Sequence, residues 1–152
     1  MSIRHARNGD KTTDLRTGTR WGLVAILAAL GLVRPLLSIA GAYDEGFGPW
    51  GPVLVTALVA ALWVGIVVVK RVPNPLLTLL AAGVSYGLLA ILLQQTVWHL
   101  FLGAPPEEAP SSAPILVVSW VSIVVTNAIW GAFLGLVALG LRRLTARRGP
   151  GE

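Results

Sequence analysis

The chain has 152 residues, of which 55% are hydrophobic and 12% are charged. Soluble domains carry about 25% charged residues, so this composition excludes an ordinary soluble domain and indicates a membrane protein. Cysteine is absent, which excludes disulfides, thiolate nucleophiles and cysteine-bound metals. The formal net charge of +5 comes from residues that flank apolar runs. Anionic lipid headgroups at the cytoplasmic face, and not nucleic acid, are therefore the expected partner.

Several apolar runs are long enough to cross a bilayer, since a spanning helix needs about 20 apolar residues. Four spans are predicted, at residues 21–40, 52–69, 75–102 and 115–141, with flexible basic tails at 1–20 and 144–152. Pro52, Pro75 and Pro114 lie at or near the predicted helix starts, where a missing N–H costs nothing. The sequence therefore predicts an all-α integral membrane four-helix bundle.

The basic residues predict the direction of the spans. All 12 Lys and Arg residues except Arg34 lie before the first span, between the second and third, or after the fourth. The opposite loops carry Asp44-Glu45 and Glu107-Glu108 and no basic residue. The positive-inside rule then predicts a multi-pass cell-membrane protein with both termini in the cytoplasm. The richness in Ala, Gly and Arg favours a prokaryotic inner membrane.

The N-terminal segment also fits a second interpretation, a cleaved signal peptide. It has a basic beginning, a short apolar stretch and Ala40-Gly41-Ala42 as a cleavage-like site, so that removal of residues 1–42 would leave three spans. The long basic segment, and the position of Arg34-Pro35 before that site, favour a spanning helix instead.

Small residues recur at four-residue spacing in three of the spans. These stripes are Ala57, Ala61 and Gly65 in the second span, Gly83 and Gly87 in the third, and Gly131 and Gly135 in the fourth. Four-residue spacing places the members of a stripe on one helix face, where small residues let helix backbones approach within a membrane. We expect these faces to pack within the chain, with a homodimer interface as the alternative.

Arg34-Pro35 interrupts the first apolar run. With a rise of 1.5 Å per residue, Arg34 lies about 20 Å above Trp21, in the outer half of a hydrocarbon core roughly 30 Å thick. Pro35 cannot donate a backbone hydrogen bond, so a carbonyl near Gly31 is freed and the span is predicted to kink. Polar residues of other spans reach similar heights. The expected outer-leaflet polar layer is Arg34, Thr56, Gln94, Gln95, Ser122, Thr126 and Asn127.

Arg34 has a structural and a functional interpretation. In the first, it caps the outer end of the bundle and pairs with Asp44, Glu45 or Gln94. In the second, it binds an anionic group, such as a lipid phosphate or a carboxylate, that enters from outside. Its height favours the first, because a guanidinium near the surface can reach water. Gln94-Gln95 are interpreted as the interfacial end of the third span, and Asn127 as an interhelical hydrogen bond.

The sequence offers little for catalysis. His99 with Glu107-Glu108 is too small a set for a metal site or an acid–base pair, and no acidic residue lies within a predicted span. No enzyme activity and no cofactor are therefore predicted. The sequence favours a structural or accessory protein that binds membrane lipids or a membrane-protein partner. The alternative is an oligomeric transporter or channel component for a small polar or anionic solute, built around Arg34, Gln94 and Asn127.

Overall fold

The computed structural model describes residues 21–43, 48–97, 100 and 112–147. Its helices are α1 (Trp21–Gly31), α2 (Val33–Ile39), α3 (Gly51–Val69), α4 (Pro75–Val97) and α5 (Ala113–Arg147), and a 3₁₀ turn (Gly48–Trp50) precedes α3. Together α1 and α2 form the first span, and α3, α4 and α5 form the others, each long and apolar enough to cross a membrane. The predicted all-α architecture with four spanning segments is confirmed for the described residues.

The first span is interrupted at Leu32, three residues before Pro35, at which a kink was predicted. Pro35 has no N–H to donate to the carbonyl of Gly31, its normal partner in an α-helix. Just before it, the Leu32 N–H bonds to the Ala29 carbonyl, three residues back, at 3.1 Å, which is a tighter turn than the α-helical bond to Ala28 would give. The α-helical pattern resumes when the Leu36 N–H bonds to the Leu32 carbonyl at 3.1 Å. Arg34 is thus carried by a short helix of its own.

The last helix is longer than the sequence analysis predicted. It runs to Arg147, so residues 144–147 are helical and do not belong to the tail to which they were assigned. Leu, Ala and Arg are strong helix formers, and no Gly or Pro follows until Gly149, which explains the continuation. The third span is described as far as Val97. Its predicted end at residue 102, and the tails at 1–20 and 148–152, lie outside the described residues.

The turn between α3 and α4 ends α3 with a Schellman motif. Arg71 adopts a left-handed conformation with φ of 47°. Its N–H bonds to the Val68 carbonyl at 3.1 Å, and the Val72 N–H bonds to the Val67 carbonyl at 3.2 Å. The side chains of Val67 and Val72 are both fully buried, which supplies the hydrophobic contact typical of this motif. Arg142 Nη1 then donates to the Val72 carbonyl, so α5 is tied to the turn.

That turn belongs to what we call the basic end of the bundle, where Lys70, Arg71, Arg142 and Arg143 lie. The core packs mainly toward this end. It consists of Val24, Leu27, Trp63, Val67, Val72, Leu79, Ala82, Leu134 and Ala138. Because these side chains come from all four spans and from the α3–α4 turn, the basic end of the bundle is closed.

The glycine stripes of α4 and α5 meet backbone to backbone. A Cβ atom on Gly83 would stand 3.3 Å from the Gly131 Cα, and one on Gly131 would stand 3.3 Å from the Gly83 Cα. A Cβ on Gly87 would stand 3.1 Å from a Cα of α5, and one on Gly135 would stand 2.7 Å from a Cα of α4. At Gly83, Gly131 and Gly135 a methyl group would collide with the backbone of the facing helix, and at Gly87 it would be tight, so α4 and α5 form a close seam of the kind that small residues permit in membranes.

The small-residue stripe of α3 has different surroundings. Ala57, Ala61 and Gly65 are exposed, and a Cβ on Gly65 would meet nothing within 4 Å. The buried face of α3 instead carries Trp63 and Val67. These larger side chains hold the α3 backbone away from its neighbours. Within the described residues, the α3 stripe therefore does not take part in the packing that was expected of it.

Candidate functional site

Arg34 lines three cavities and is the residue that connects them. Its side chain is exposed because it lies between the cavities and is not surrounded by packed side chains. We call the three the apolar cavity (about 360 Å³), the polar cavity (about 380 Å³) and the side cavity (about 310 Å³). Their separate linings determine what each one can hold.

The apolar cavity lies inside the bundle, between α1, α3, α4 and α5. Its apolar lining comprises Val59, Ala60, Trp63, Ile129, Trp130 and Leu134. The polar groups Thr56, Thr126 and Asn127 join this lining together with Arg34. The cavity therefore has a long hydrocarbon and aromatic surface and a small number of polar groups, which is the usual make-up of a small-molecule site.

The polar cavity lies beside α2 and reaches α4. It is lined by Arg34, Ser38, Tyr43 and Gln94 among others, so hydroxyl, amide and guanidinium groups face the same space. The Tyr43 hydroxyl donates to the Arg34 backbone carbonyl at 3.2 Å, which fixes the tyrosine over the helix that carries Arg34. This cavity offers several hydrogen-bond donors around one positive charge.

Tyr86 lies at the junction of the two larger cavities, because it lines both. Its ring packs against Gly31, where a Cβ atom would come within 2.7 Å of the ring carbon Cδ2. The ring also meets Trp63 edge to face, with centroids 6.4 Å apart and an interplanar angle of 85°. The glycine that ends α1 thus makes the space for the tyrosine that shapes both cavities.

Trp63, which lines the apolar cavity, has a buried indole N–H without an acceptor in the part of the chain that the structure describes. The residue is only 3% exposed, and its buried Nε1 has no acceptor among the described residues. A buried donor left without a partner costs about 1–3 kcal/mol. The apolar packing around the indole and its contact with Tyr86 hold it in place despite this cost.

The predicted polar layer is only partly brought together. Thr56, Thr126 and Asn127 line the apolar cavity with Arg34, and Gln94 lines the polar cavity with it. Gln95 and Ser122 line none of the three cavities, and Ser122 is exposed. Asp44 and Glu45 lie outside the described residues, as do His99 and Glu107-Glu108. The ion pair between Arg34 and an acidic residue therefore stays a prediction.

Polar side chains in the spans bond mainly to their own helices. The Asn127 amide Nδ2 donates to the Ile123 carbonyl at 2.8 Å, and the Thr56 hydroxyl donates to the Pro52 carbonyl at 2.7 Å. Such bonds to the preceding turn are typical of short polar side chains in helices. Asn127 was predicted to form a hydrogen bond between helices, but its Nδ2 bond stays within α5. Close glycine packing, and not this amide, joins α5 to α4 here.

The apolar cavity ends at a floor formed by Trp63 and Leu134. Trp63 is six residues from Val69, so this floor lies about 9 Å above the end of α3. Between it and the basic end, Val67, Leu79 and Ala138 are all fully buried. The cavities around Arg34 therefore form a blind site that is closed toward the basic end.

The described residues contain no group of three or more His, Asp or Glu side chains that is able to hold a metal ion. Sequence reasoning passed over Tyr86, Tyr43 and Ser38, all of which line the cavities at Arg34. Tyr86 stands between the two glycines of its stripe, a pattern that signals helix packing and gives no sign of a cavity. Comparisons with models of protein families, with curated proteins and with solved structures found no match to this chain.

Proposed function

We propose that this protein is a non-catalytic, multi-pass membrane protein whose role is to bind a component of the membrane, either a lipid or another membrane protein. The observation that supports this role is the blind site at Arg34. A site with a close-packed floor at Trp63 and Leu134 is suited to hold a ligand, whereas a channel needs a continuous path through the bundle. The predicted spans also contain no acidic residue, so a proton-coupled transport mechanism lacks the carboxylate that it would need.

Native mass spectrometry of the protein released from lipid nanodiscs tests this role. We expect a lipid or a second protein chain to stay bound at a fixed stoichiometry. A protein that emerges bare under conditions that preserve the lipids of a control membrane protein would overturn the proposal. A partner chain would mark the protein as an accessory subunit, and a retained lipid would direct attention to the Arg34 cavities.

The proposal includes an orientation, with the basic end and both termini in the cytoplasm of a cell membrane. Lys70, Arg71 and Arg143 are exposed at this end, where each is expected to contribute about 1 kcal/mol to attraction by an anionic membrane surface. Because the chain has no native cysteine, single cysteines are clean reporters. In intact cells, a membrane-impermeant maleimide should label Ser112→Cys and not Thr145→Cys. The reverse pattern would refute this orientation.

A second candidate function is transport of a small anion by an oligomer. The observation that favours it is the exposed guanidinium of Arg34 at the junction of three cavities. Radiolabelled acetate and phosphate taken up by proteoliposomes are the probes. Flux above that of empty vesicles, abolished in Arg34→Leu while the helical circular dichroism is retained, would establish transport and overturn the binding role. Equal flux in protein-containing and empty vesicles would exclude transport of these anions.

A further inference from the structure

We infer that the cavities around Arg34 form one site for an amphipathic anion, a molecule with a carboxylate or phosphate head and an apolar chain. This inference rests on the proposed binding function and specifies the ligand class. It follows from how polar and apolar groups are divided between the cavities, and each part of the ligand has its own part of the site.

The head of the ligand fits the polar cavity. Arg34 presents up to five N–H donors in a planar fork, which matches the paired oxygens of a carboxylate or a phosphate. Ser38 and Gln94 line the same space and add a hydroxyl and an amide donor, whereas the Tyr43 hydroxyl already donates to the Arg34 carbonyl.

The chain of the ligand fits the apolar cavity. This cavity holds about 360 Å³, within the range of roughly 300–1,000 Å³ that is usual for ligand sites. Its lining is mainly apolar, with Val59, Ala60, Ile129 and Leu134, and is therefore suited to a hydrocarbon chain. A small water-soluble anion would use the polar cavity and leave the apolar one without a function, which is why we favour an amphiphile.

The side cavity gives such a molecule a way in from the membrane. It is lined by Arg34, by Val53 and Ala57 of α3, and by Trp130 of α5. Val53 is 56% exposed and Trp130 is 43% exposed, so this cavity opens on the surface that lipid chains would cover. Because Arg34 also lines this opening, the head stays beside the positive charge while the chain passes between α3 and α5.

Tryptophan quenching by a brominated amphiphile tests the site. The protein would carry Phe in place of Trp21, Trp50, Trp98 and Trp120, which leaves the two tryptophans that line the apolar cavity. After reconstitution into phosphatidylcholine vesicles, the probe is dibrominated stearate, whose bromine atoms quench indole fluorescence on contact. We expect saturable quenching by the anion and only weak, linear quenching by its uncharged methyl ester. Equal quenching by both would overturn the inference.

Two variants test separately how the head and the chain of the ligand contribute to binding. Arg34→Gln should weaken stearate binding about tenfold or more, the effect of losing a charge-assisted hydrogen bond. Ala60→Leu fills the apolar cavity from α3 and should weaken binding by a similar factor without touching the head. Its matched control is Ala61→Leu, on the exposed face of the same helix, which should change the affinity by less than about twofold. If Arg34→Gln fails to fold, Ala60→Leu and its control still decide the question.

The source of the anion is determined by a second probe. Dibrominated phosphatidate in place of stearate distinguishes a lipid phosphate from a fatty-acid carboxylate, and saturable, Arg34-dependent quenching by either supports the inference. Affinities that are unchanged in both Arg34→Gln and Ala60→Leu would refute it. A partner protein retained in native mass spectrometry, together with no Arg34-dependent quenching, would leave the proposed function standing and remove this inference alone.

Discussion

The α4–α5 seam and one face of α3 both carry small residues at four-residue spacing, but the seam is buried whereas the face of α3 is exposed. In the seam, Gly83 and Gly131 lie so close that a Cβ on either would stand 3.3 Å from the Cα of the other. On α3, Gly65 faces open space. The difference shows that four-residue spacing places small residues on one helix face but does not determine whether that face packs against another helix. A stripe is used within the chain when a second stripe faces it, and α3 turns Trp63 inward instead.

The largest effect is expected from a change that breaks the seam. Gly83→Val places a branched side chain against the backbone carbonyl of Asn127, which cannot move without moving α5. We expect the free energy of unfolding to fall by about 3 kcal/mol, the upper part of the range for overpacking. Reversible unfolding in mixed detergent micelles measures it. A loss as small as that of a surface substitution would mean that α4 and α5 are not in backbone contact.

A smaller loss is expected at the basic end. Arg142→Leu leaves the Val72 carbonyl without its charged donor, so the free energy of unfolding should fall by about 2 kcal/mol. Arg143→Leu is the matched control, because the neighbouring side chain is exposed and makes no such bond in the described structure. The same unfolding measurement applies. Equal losses in the two variants would contradict the role of Arg142 in tying α5 to the α3–α4 turn.

On the exposed face of α3 a substitution should stabilise the protein, in contrast to the two losses above. Gly65→Ala adds a methyl group in open space and removes the helix penalty of glycine. We expect the free energy of unfolding to rise by up to about 1 kcal/mol. Chemical cross-linking in the membrane is measured beside it. A loss of stability that accompanies the loss of a cross-linked dimer would show that this stripe packs against a second copy.

The substitution of Arg34 is also expected to cost little stability. Its side chain lies between cavities, so Arg34→Leu removes the cost of a charge in the membrane without creating a void in the core. The free energy of unfolding should stay within about 1 kcal/mol of its original value, or rise. A loss of several kcal/mol would show that Arg34 holds the fold together through an ion pair. In that case Asp44→Asn and Glu45→Gln should reproduce the loss.

Much of the fold follows from the sequence because helix length and rise are regular. The starts of α3 and α4, and the interruption caused by Pro35, were predictable from apolar runs and proline chemistry. Heights along the helix were estimated for the same reason, and Thr56 and Asn127, which they group with Arg34, line the apolar cavity with it. Rotation about each helix axis was not predictable, since it depends on the packing partners. That is why Ser122 and Gln95 do not line the cavities.

The site was harder to predict than the fold because its shape depends on what the helices leave empty. Tyr86 shapes both cavities through its contact with Gly31, yet nothing in the local sequence links two residues so far apart. The exposure of the small-residue stripe on α3 was equally hard to predict. The sequence marks small residues, whereas the inward position of Trp63 becomes visible only when the neighbouring helices are in place.

The short helix α2 adds a dynamic consequence. None of its residues is buried, whereas α1 buries Val24, Leu27, Ala28 and Gly31. Local opening is easiest where few apolar contacts are lost. The amide hydrogens of α2 should therefore exchange with deuterium sooner than those of α1. The helix that carries the positive charge is thus expected to open locally while the core at the basic end stays intact.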